Sequence, residues 1–342
     1  MSNSFLVIVG LGLFLGSAAL VRLFCYYAVK QGLIAIPNAR SSHQVATPLG
    51  AGVVFVLLWF LCLLVGNVYH LFSVHVLLLF VPSTLVVSLV GFWDDHRELS
   101  ARKRLLVQVL VAIFCVIMLG DVTALHLSRY TTLTLGWAGL VLTVLSIAWS
   151  INLYNFMDGI DGLAGVEALF VFGIGGFFFW HVGAIPLALL TWTLVATVAG
   201  FLVWNWPKAS VFMGDVGSYF LGFLVGLFSL IADHLYHIPI TVWIILYGVF
   251  WFDTTMTLIR RFIRHENLAM AHREHAFHRL HRAGYSNTQV LWGVIALNTL
   301  LACIAIWAFK TDSFKWGFGL TLVILTAVYL KIEQRLPMAK TQ

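Results

Sequence analysis

The chain has 342 residues, 61% of them hydrophobic and only 10% charged, with a formal net charge of +6. Soluble domains carry about 25% charged residues, so an ordinary water-soluble globule is excluded. No polar stretch is long enough for a separate soluble domain. Residues 1–342 therefore read as a single all-α domain, a polytopic integral membrane helical bundle.

Apolar runs predict eleven transmembrane helices, near 5–29, 50–70, 75–93, 104–120, 133–153, 164–181, 184–204, 216–232, 238–259, 288–309 and 315–333. The first run, FLVIVGLGLFLGSAALV, lacks a basic leader and a small-residue cleavage site, so it reads as a retained helix. Cys25, Cys62, Cys115 and Cys303 lie in or beside apolar runs without metal-type spacing and read as small packing residues. The connections fall alternately on two sides. One side holds 30–49, 94–103, 154–163, 205–215, 260–287 and the C-terminal tail; the other holds the N-terminus and short turns near 72, 125, 182, 235 and 312. Sixteen Lys and Arg lie on the first side against three (Arg129, Lys310 and Lys315) on the second, which makes the first side cytoplasmic. Asp94, Asp95, Asp158, Asp161, Asp215 and Asp253 gather there too. Carboxylates contribute little to topology, so their clustering points to a polar, metal-dependent site at the membrane surface.

In chain order, IPNARSSHQVATPLGAG is a shaped Pro/Gly loop carrying Arg40. GFWDDHREL sets Asp94 and Asp95 side by side at a helix end. They read either as a metal- and substrate-facing pair or as partners of Arg97, Arg102, Lys103 and Arg104, although acid at a helix C-terminus opposes the macrodipole. NLYNFMDGIDGLAG brings Asp158 and Asp161 together among glycines, with Asn152 and Asn155 one turn apart as uncharged hydrogen-bonding groups. The twelfth position of a calcium loop starting at Asp158 would be Leu169, so an EF-hand is excluded. Capping of the following helix explains Asp161 but not both acids.

VFMGDVGS puts Asp215 at a helix start, where it could cap the helix or hold a metal beside phosphate-binding N–H groups; a P-loop signature is lacking. Asp253 lies within reach of Arg260 and Arg261 along its helix. AHREHAFHRLHRAGY spaces His272, His275, His278 and His281 three apart among arginines. That cationic face suits a diphosphate better than zinc, or an anionic membrane surface. A channel would line both halves of the membrane, whereas here the outer half is nearly bare of charge.

GFWDD, NLYNFMDGIDGLAG and VFMGDVGS resemble, in order and spacing, the signatures of the polyprenyl-phosphate N-acetylhexosamine-1-phosphate transferases, most like the O-antigen-initiating branch; the resemblance covers residues 30–287. It implies transfer of N-acetylhexosamine-1-phosphate from a UDP-sugar to undecaprenyl phosphate with release of UMP. Mg²⁺ is the implied cofactor, with Mn²⁺ as a substitute. The implied setting is the bacterial inner membrane, with a periplasmic N-terminus, a cytoplasmic C-terminus and the active site on the cytoplasmic face. The implied partners are UDP-N-acetylhexosamine, undecaprenyl phosphate and membrane lipid; a homodimer is left open, and no nucleic acid is expected.

Carried residue by residue, the resemblance makes Asp94 and Asp95 catalytic at the acceptor and Asp215 a metal ligand, joined by Asp158. Asn152, Asn155, Asp158, Asp161, Arg40, His272, His275 and His278 become substrate contacts. Two departures stand out: Pro48-Leu49-Gly50-Ala51-Gly52 lacks the arginine of the related pattern, and the histidines are not paired or tripled as in better-known branches. The competing class is a cation-coupled transporter with mid-membrane acids and repeated broken helices. A CDP-alcohol phosphotransferase is excluded, because Asp158-Gly159 is not followed by Ala-Arg.

Overall fold

A computed structural model describes residues 3–37, 45–97, 99–120, 122–267 and 272–338. The predicted helices form as α1 (Asn3–Gln31), α2 (Gly52–Val68), α3 (Val74–His96), α4 (Ala101–Leu119), α5 (Trp137–Met157), α6 (Leu163–His181), α7 (Ile185–Asn205) and α8 (Gly214–Tyr236), then α9 (Ile240–Leu246), α10 (Gly248–Ile263), α11 (Ala276–Arg282), α12 (Asn287–Thr311) and α13 (Phe314–Arg335). Eight of them are long and apolar enough to cross a membrane. α2 is shorter, with 17 residues, and α4 opens on Arg102, Lys103 and Arg104. The predicted ninth span is the exception to a simple count: α9 and α10 are bent by 79° at Tyr247. This is a single break among the described residues, not the repeated pair expected of a transporter.

Two small antiparallel ladders punctuate the helices, β1 (Ile34–Ala35) with β2 (Thr47–Pro48), and β3 (Ala124–His126) with β4 (Thr132–Thr134). The second replaces the short turn expected near residue 125. It is fastened by Asp233 of α8, whose carboxylate accepts the N–H groups of His126 at 3.0 Å and Ile240 at 3.1 Å. Arg40 lies outside the described residues.

α8 is the axle of the bundle. It is predominantly apolar and buried almost throughout, with Asp215 at its start and Asp233 near its end. Between spans in lipid, close packing replaces the hydrophobic drive, and small residues let backbones meet. A Cβ on Gly222 would lie 2.7 Å from the Ser150 carbonyl oxygen of α5, and the Ser150 hydroxyl donates to the Gly222 carbonyl at 2.7 Å. At the other face, a Cβ on Gly91 of α3 would lie 2.4 Å from the Asp215 carbonyl oxygen, and one on Gly52 of α2 would lie 2.5 Å from Gly217 Cα. α3, α5 and α2 thus approach one end of α8 at backbone distance.

Gly91→Ala is therefore expected to destabilise by about 1–3 kcal/mol, the usual cost of overpacking against backbone. Gly293→Ala, where a Cβ meets nothing within 4 Å, serves as the control. Thermal unfolding in detergent should show a lower midpoint for the first variant and an unchanged or slightly higher one for the second, where alanine only improves helix propensity.

Candidate active site

The N-terminus of α8 begins with N–H groups that have no partner inside the helix. Its own N-cap, Met213, supplies no side-chain hydrogen bond. Asp95, from the end of α3, does so instead: its carboxylate accepts the N–H of Asp215 at 2.8 Å and of Val216 at 3.2 Å. The fit requires glycine at 214, where φ is +74° and a Cβ would fall 2.5 Å from Asp95 Oδ2. Asp95 thus supplies the cap, which was one of the two readings of Asp215.

With its backbone held by Asp95, Asp215 turns its side chain toward α5. Asn155 Nδ2 donates to Asp215 Oδ1 at 2.7 Å and to the Ser218 hydroxyl at 3.0 Å. Asp94, one residue from Asp95, faces elsewhere. It accepts from the Leu99 N–H at 2.7 Å, the Tyr219 hydroxyl at 2.7 Å and Arg104 Nη1 at 3.2 Å. The salt-bridge reading of Asp94 is therefore realised with Arg104. Tyr219 joins the site as a residue not singled out from the sequence; it carries one late signal, its position one turn after Asp215 on α8.

Beyond α5, Asp161 accepts the Ala209 N–H at 3.1 Å and so ties the 158–162 loop to the loop before α8. It does not cap α6, whose N-cap is Gly162. Asp158 is half-buried and its carboxylate has no hydrogen-bond partner among the described residues. Burial, reinforced by the charges of Asp95 and Asp161, pushes Asp158 up to about 7. Asn152 points away from this group and pairs with Gln108 of α4, its Nδ2 donating to Gln108 Oε1 at 2.5 Å. The structure thus separates the two asparagines: Asn155 stands in the acid cluster and Asn152 braces the bundle.

The histidine segment closes the site from above. Phe277 and His278 pack on Gly159, where a Cβ would lie 2.7 Å from the Phe277 ring and 3.3 Å from His278 Cε1. His275 turns inward, 2% exposed, with Nδ1 3.2 Å from Asp253 Oδ2. Asp253 also accepts the Ala276 N–H at 3.0 Å, so it holds the start of α11 and leaves Arg260 and Arg261 to other acids. Burial, with the neighbouring His275, lowers both His272 and His278 to about 3. They are neutral imidazoles near neutral pH, so the cationic histidine face expected from the sequence is instead a neutral one flanked by arginine. Of those arginines, Arg279 is committed to Glu333, and Arg282 stays exposed. Alongside lies an apolar cavity of about 650 Å³ between α10, α12 and α13, reaching Asp253, Phe277 and Met157.

No three His, Cys, Asp or Glu side chains among the described residues meet as a ready metal cage. Mg²⁺ does not require one, since it keeps several waters and takes one or two carboxylates with substrate phosphates. Asp158, without a hydrogen-bond partner among the described residues, and the second oxygen of Asp215 have the donor chemistry for that role. A hard divalent cation there would offset the burial and the repulsion that raise Asp158.

The chain is similar to known proteins. Residues 76–233 match the glycosyl transferase family 4. An undecaprenyl-phosphate alpha-N-acetylglucosaminyl 1-phosphate transferase of Yersinia pestis is 30% identical over 305 residues, 86% of this chain and 82% of the relative. This chain belongs to glycosyl transferase family 4. A probable undecaprenyl-phosphate N-acetylglucosaminyl 1-phosphate transferase of Bacillus subtilis is 27% identical over 321 residues, 89% of this chain and 84% of the relative. A phospho-N-acetylmuramoyl-pentapeptide-transferase of Synechococcus is 35% identical over 221 residues, 60% of this chain and 63% of the relative. The family segment contains Asp94, Asp95, Asn152, Asn155, Asp158, Asp161 and Asp215, while the histidine segment lies beyond it.

Two outcomes follow for the acids. Asp95→Ala strands two helix N–H groups and should cost about 1–2 kcal/mol of stability, whereas Asp95→Asn keeps an acceptor and most of that stability. Thermal midpoints of the two variants check this. A raised Asp158 favours folding when protonated, so its contribution is full below its unfolded value and is lost as pH rises through about 7. In chelator, the thermal midpoint should therefore fall between pH 5 and 8 by more in the parent than in Asp158→Asn; equal slopes would contradict the assignment.

Proposed function

We propose that this membrane protein transfers N-acetylhexosamine-1-phosphate from a UDP-sugar to undecaprenyl phosphate, releasing UMP. One observation supports it above the rest. The acid cluster at the α8 N-terminus, the 272–282 segment and the apolar cavity lie together at one end of the bundle, so a water-soluble diphosphate and a lipid tail can meet there. The cavity takes the first isoprene units of the acceptor and leaves its phosphate at the acids.

In this reading an ionised oxygen of the lipid phosphate attacks the β-phosphorus of the UDP-sugar. A P–O bond forms, the bond from that phosphorus to the bridging oxygen breaks, and UMP departs with the bridging oxygen. The acceptor is already ionised near pH 7, so the protein chiefly positions two anions and spreads charge. Asp215 and Asp158 would hold Mg²⁺, which when bound neutralises the diphosphate and allows it near carboxylates. Asn155 keeps Asp215 oriented, and Asp95 fixes the backbone on which it stands. Asp94, occupied by three donors, positions Arg104 and Tyr219 rather than acting as a free base. Arg104 is then a partly exposed cation available to phosphate, and His272 and His278 contribute as neutral hydrogen-bond donors. His275 and Asn152, turned into the protein, act through packing.

The positive bias of the loops supports a cytoplasmic face for this end, and in this reading the membrane is the bacterial inner one, where UDP-sugars are found. Initiation of O-antigen or another surface polysaccharide is the assignment the sequence signatures favour.

Purified protein, undecaprenyl phosphate and a panel of UDP-HexNAc donors test the reading through UMP release. Release from one donor should require lipid and Mg²⁺, stop in chelator and return with Mn²⁺. Asp215→Asn should lower kcat by 10²-fold or more, about 2.7 kcal/mol of transition-state stabilisation. UMP release without lipid, or full activity in that variant, would refute the proposal.

A further inference from the structure

α1 is the span least covered by protein, and most of its residues face outward. Arg22 lies on it nine residues before the end at Gln31, roughly 14 Å along the axis. α1, with 29 residues or roughly 43 Å, is longer than the hydrocarbon core of about 30 Å, so Arg22 falls near the inner interface, where a guanidinium can reach a lipid phosphate. Arg22 is exposed, and no carboxylate of the described residues lies within ion-pair distance of it. Its protein contact is the Trp204 ring, 5.2 Å from the guanidinium carbon. Trp204 is itself fixed by donating to the Ala18 carbonyl at 2.7 Å.

Beside this pair opens a cavity of about 550 Å³, lined by Arg22, Cys25, Tyr26, Pro48 and Ser210 over an apolar floor from α1. Lys30 sits 4.3 Å above the Tyr26 ring on the same flank. Lys208 is exposed two residues from Ser210. The lining contains no acid. An unpaired arginine within the membrane-facing wall, further cations toward the helix end and an apolar floor along the span together match an acyl chain bearing a phosphate. The acceptor cavity proposed above lies elsewhere, between α10, α12 and α13.

We propose that this groove binds the headgroup of an anionic glycerophospholipid, with its phosphate on Arg22 and one acyl chain along α1. The groove is joined to the candidate active site through the 206–213 loop. Ser210 lines the groove, the adjacent Ala209 N–H donates to Asp161, and the Phe212 carbonyl accepts the Gly50 and Ala51 N–H groups. A bound lipid braces that loop and thereby supports the position of Asp161.

The test uses the full chain in nanodiscs of phosphatidylcholine with or without phosphatidylglycerol, followed by native mass spectrometry of the released protein. The parent should retain phosphatidylglycerol in preference to phosphatidylcholine. Arg22→Gln should retain it about fivefold less, the loss of about 1 kcal/mol for one basic group, while Arg22→Lys keeps most of it. UMP release should rise with phosphatidylglycerol in the parent and respond less in Arg22→Gln, with both equal in phosphatidylcholine alone. Equal lipid retention by folded parent and Arg22→Gln would overturn the proposal. So would unchanged retention with a higher KM for undecaprenyl phosphate, which would make Arg22 an acceptor contact. Retention needs no turnover, so it stands or falls separately from the transferase reading.

Discussion

The carboxylate of Asp95 holds the first N–H groups of α8, and the geometry of the site hangs on that clamp. A helix start buried in a membrane bundle cannot leave its N–H groups to water, and no residue beside Gly214 provides an acceptor. The acceptor comes from α3, 120 residues away in the chain. It draws the two helices so close that only glycine fits at 91 and 214. The clamp sets where Asp215 stands, and Asn155 then sets where its side chain points.

Around this fixed point the charges divide by what they touch. Asp94 and Asp161 are satisfied by protein donors and keep loops and helices in register. Asp158 has no such donor, sits half-buried near two other acids, and is held high for that reason. Folding has concentrated negative charge where a divalent cation and a nucleotide diphosphate would neutralise it. The cost of that concentration is tolerated because the rest of α8 is packed by apolar side chains along its whole length. On the far flank, Arg22 presents the inverse case, an exposed cation with no carboxylate partner among the described residues.

The helices were legible because apolar runs of spanning length leave little choice in a bilayer, and all eleven predicted segments are helical. The bend at Tyr247 was not, since the run from 238 to 259 shows no proline or polar gap there; nor was the β3–β4 hairpin, hidden in a segment read as a turn. The acids at the site were legible as a group, through their spacing and their one-sided distribution. Their division of labour was not, because neighbours in sequence have partners far away. Asp94 meets Arg104 and Tyr219 while Asp95 meets Asp215 and Val216, and Asn152 meets Gln108 while Asn155 meets Asp215. The same holds for His275, whose inward turn depends on Asp253 in another helix.

The account rests on a division between an acid that caps and acids that are left for a metal. A structure with Mn²⁺ and a UDP-sugar, with the metal located by anomalous scattering, tests that division directly. The account predicts Mn²⁺ bonded to Asp215 and Asp158 and to the diphosphate, with Asp95 still on the Asp215 and Val216 N–H groups. Mn²⁺ bonded to Asp95, with that cap released, would contradict it.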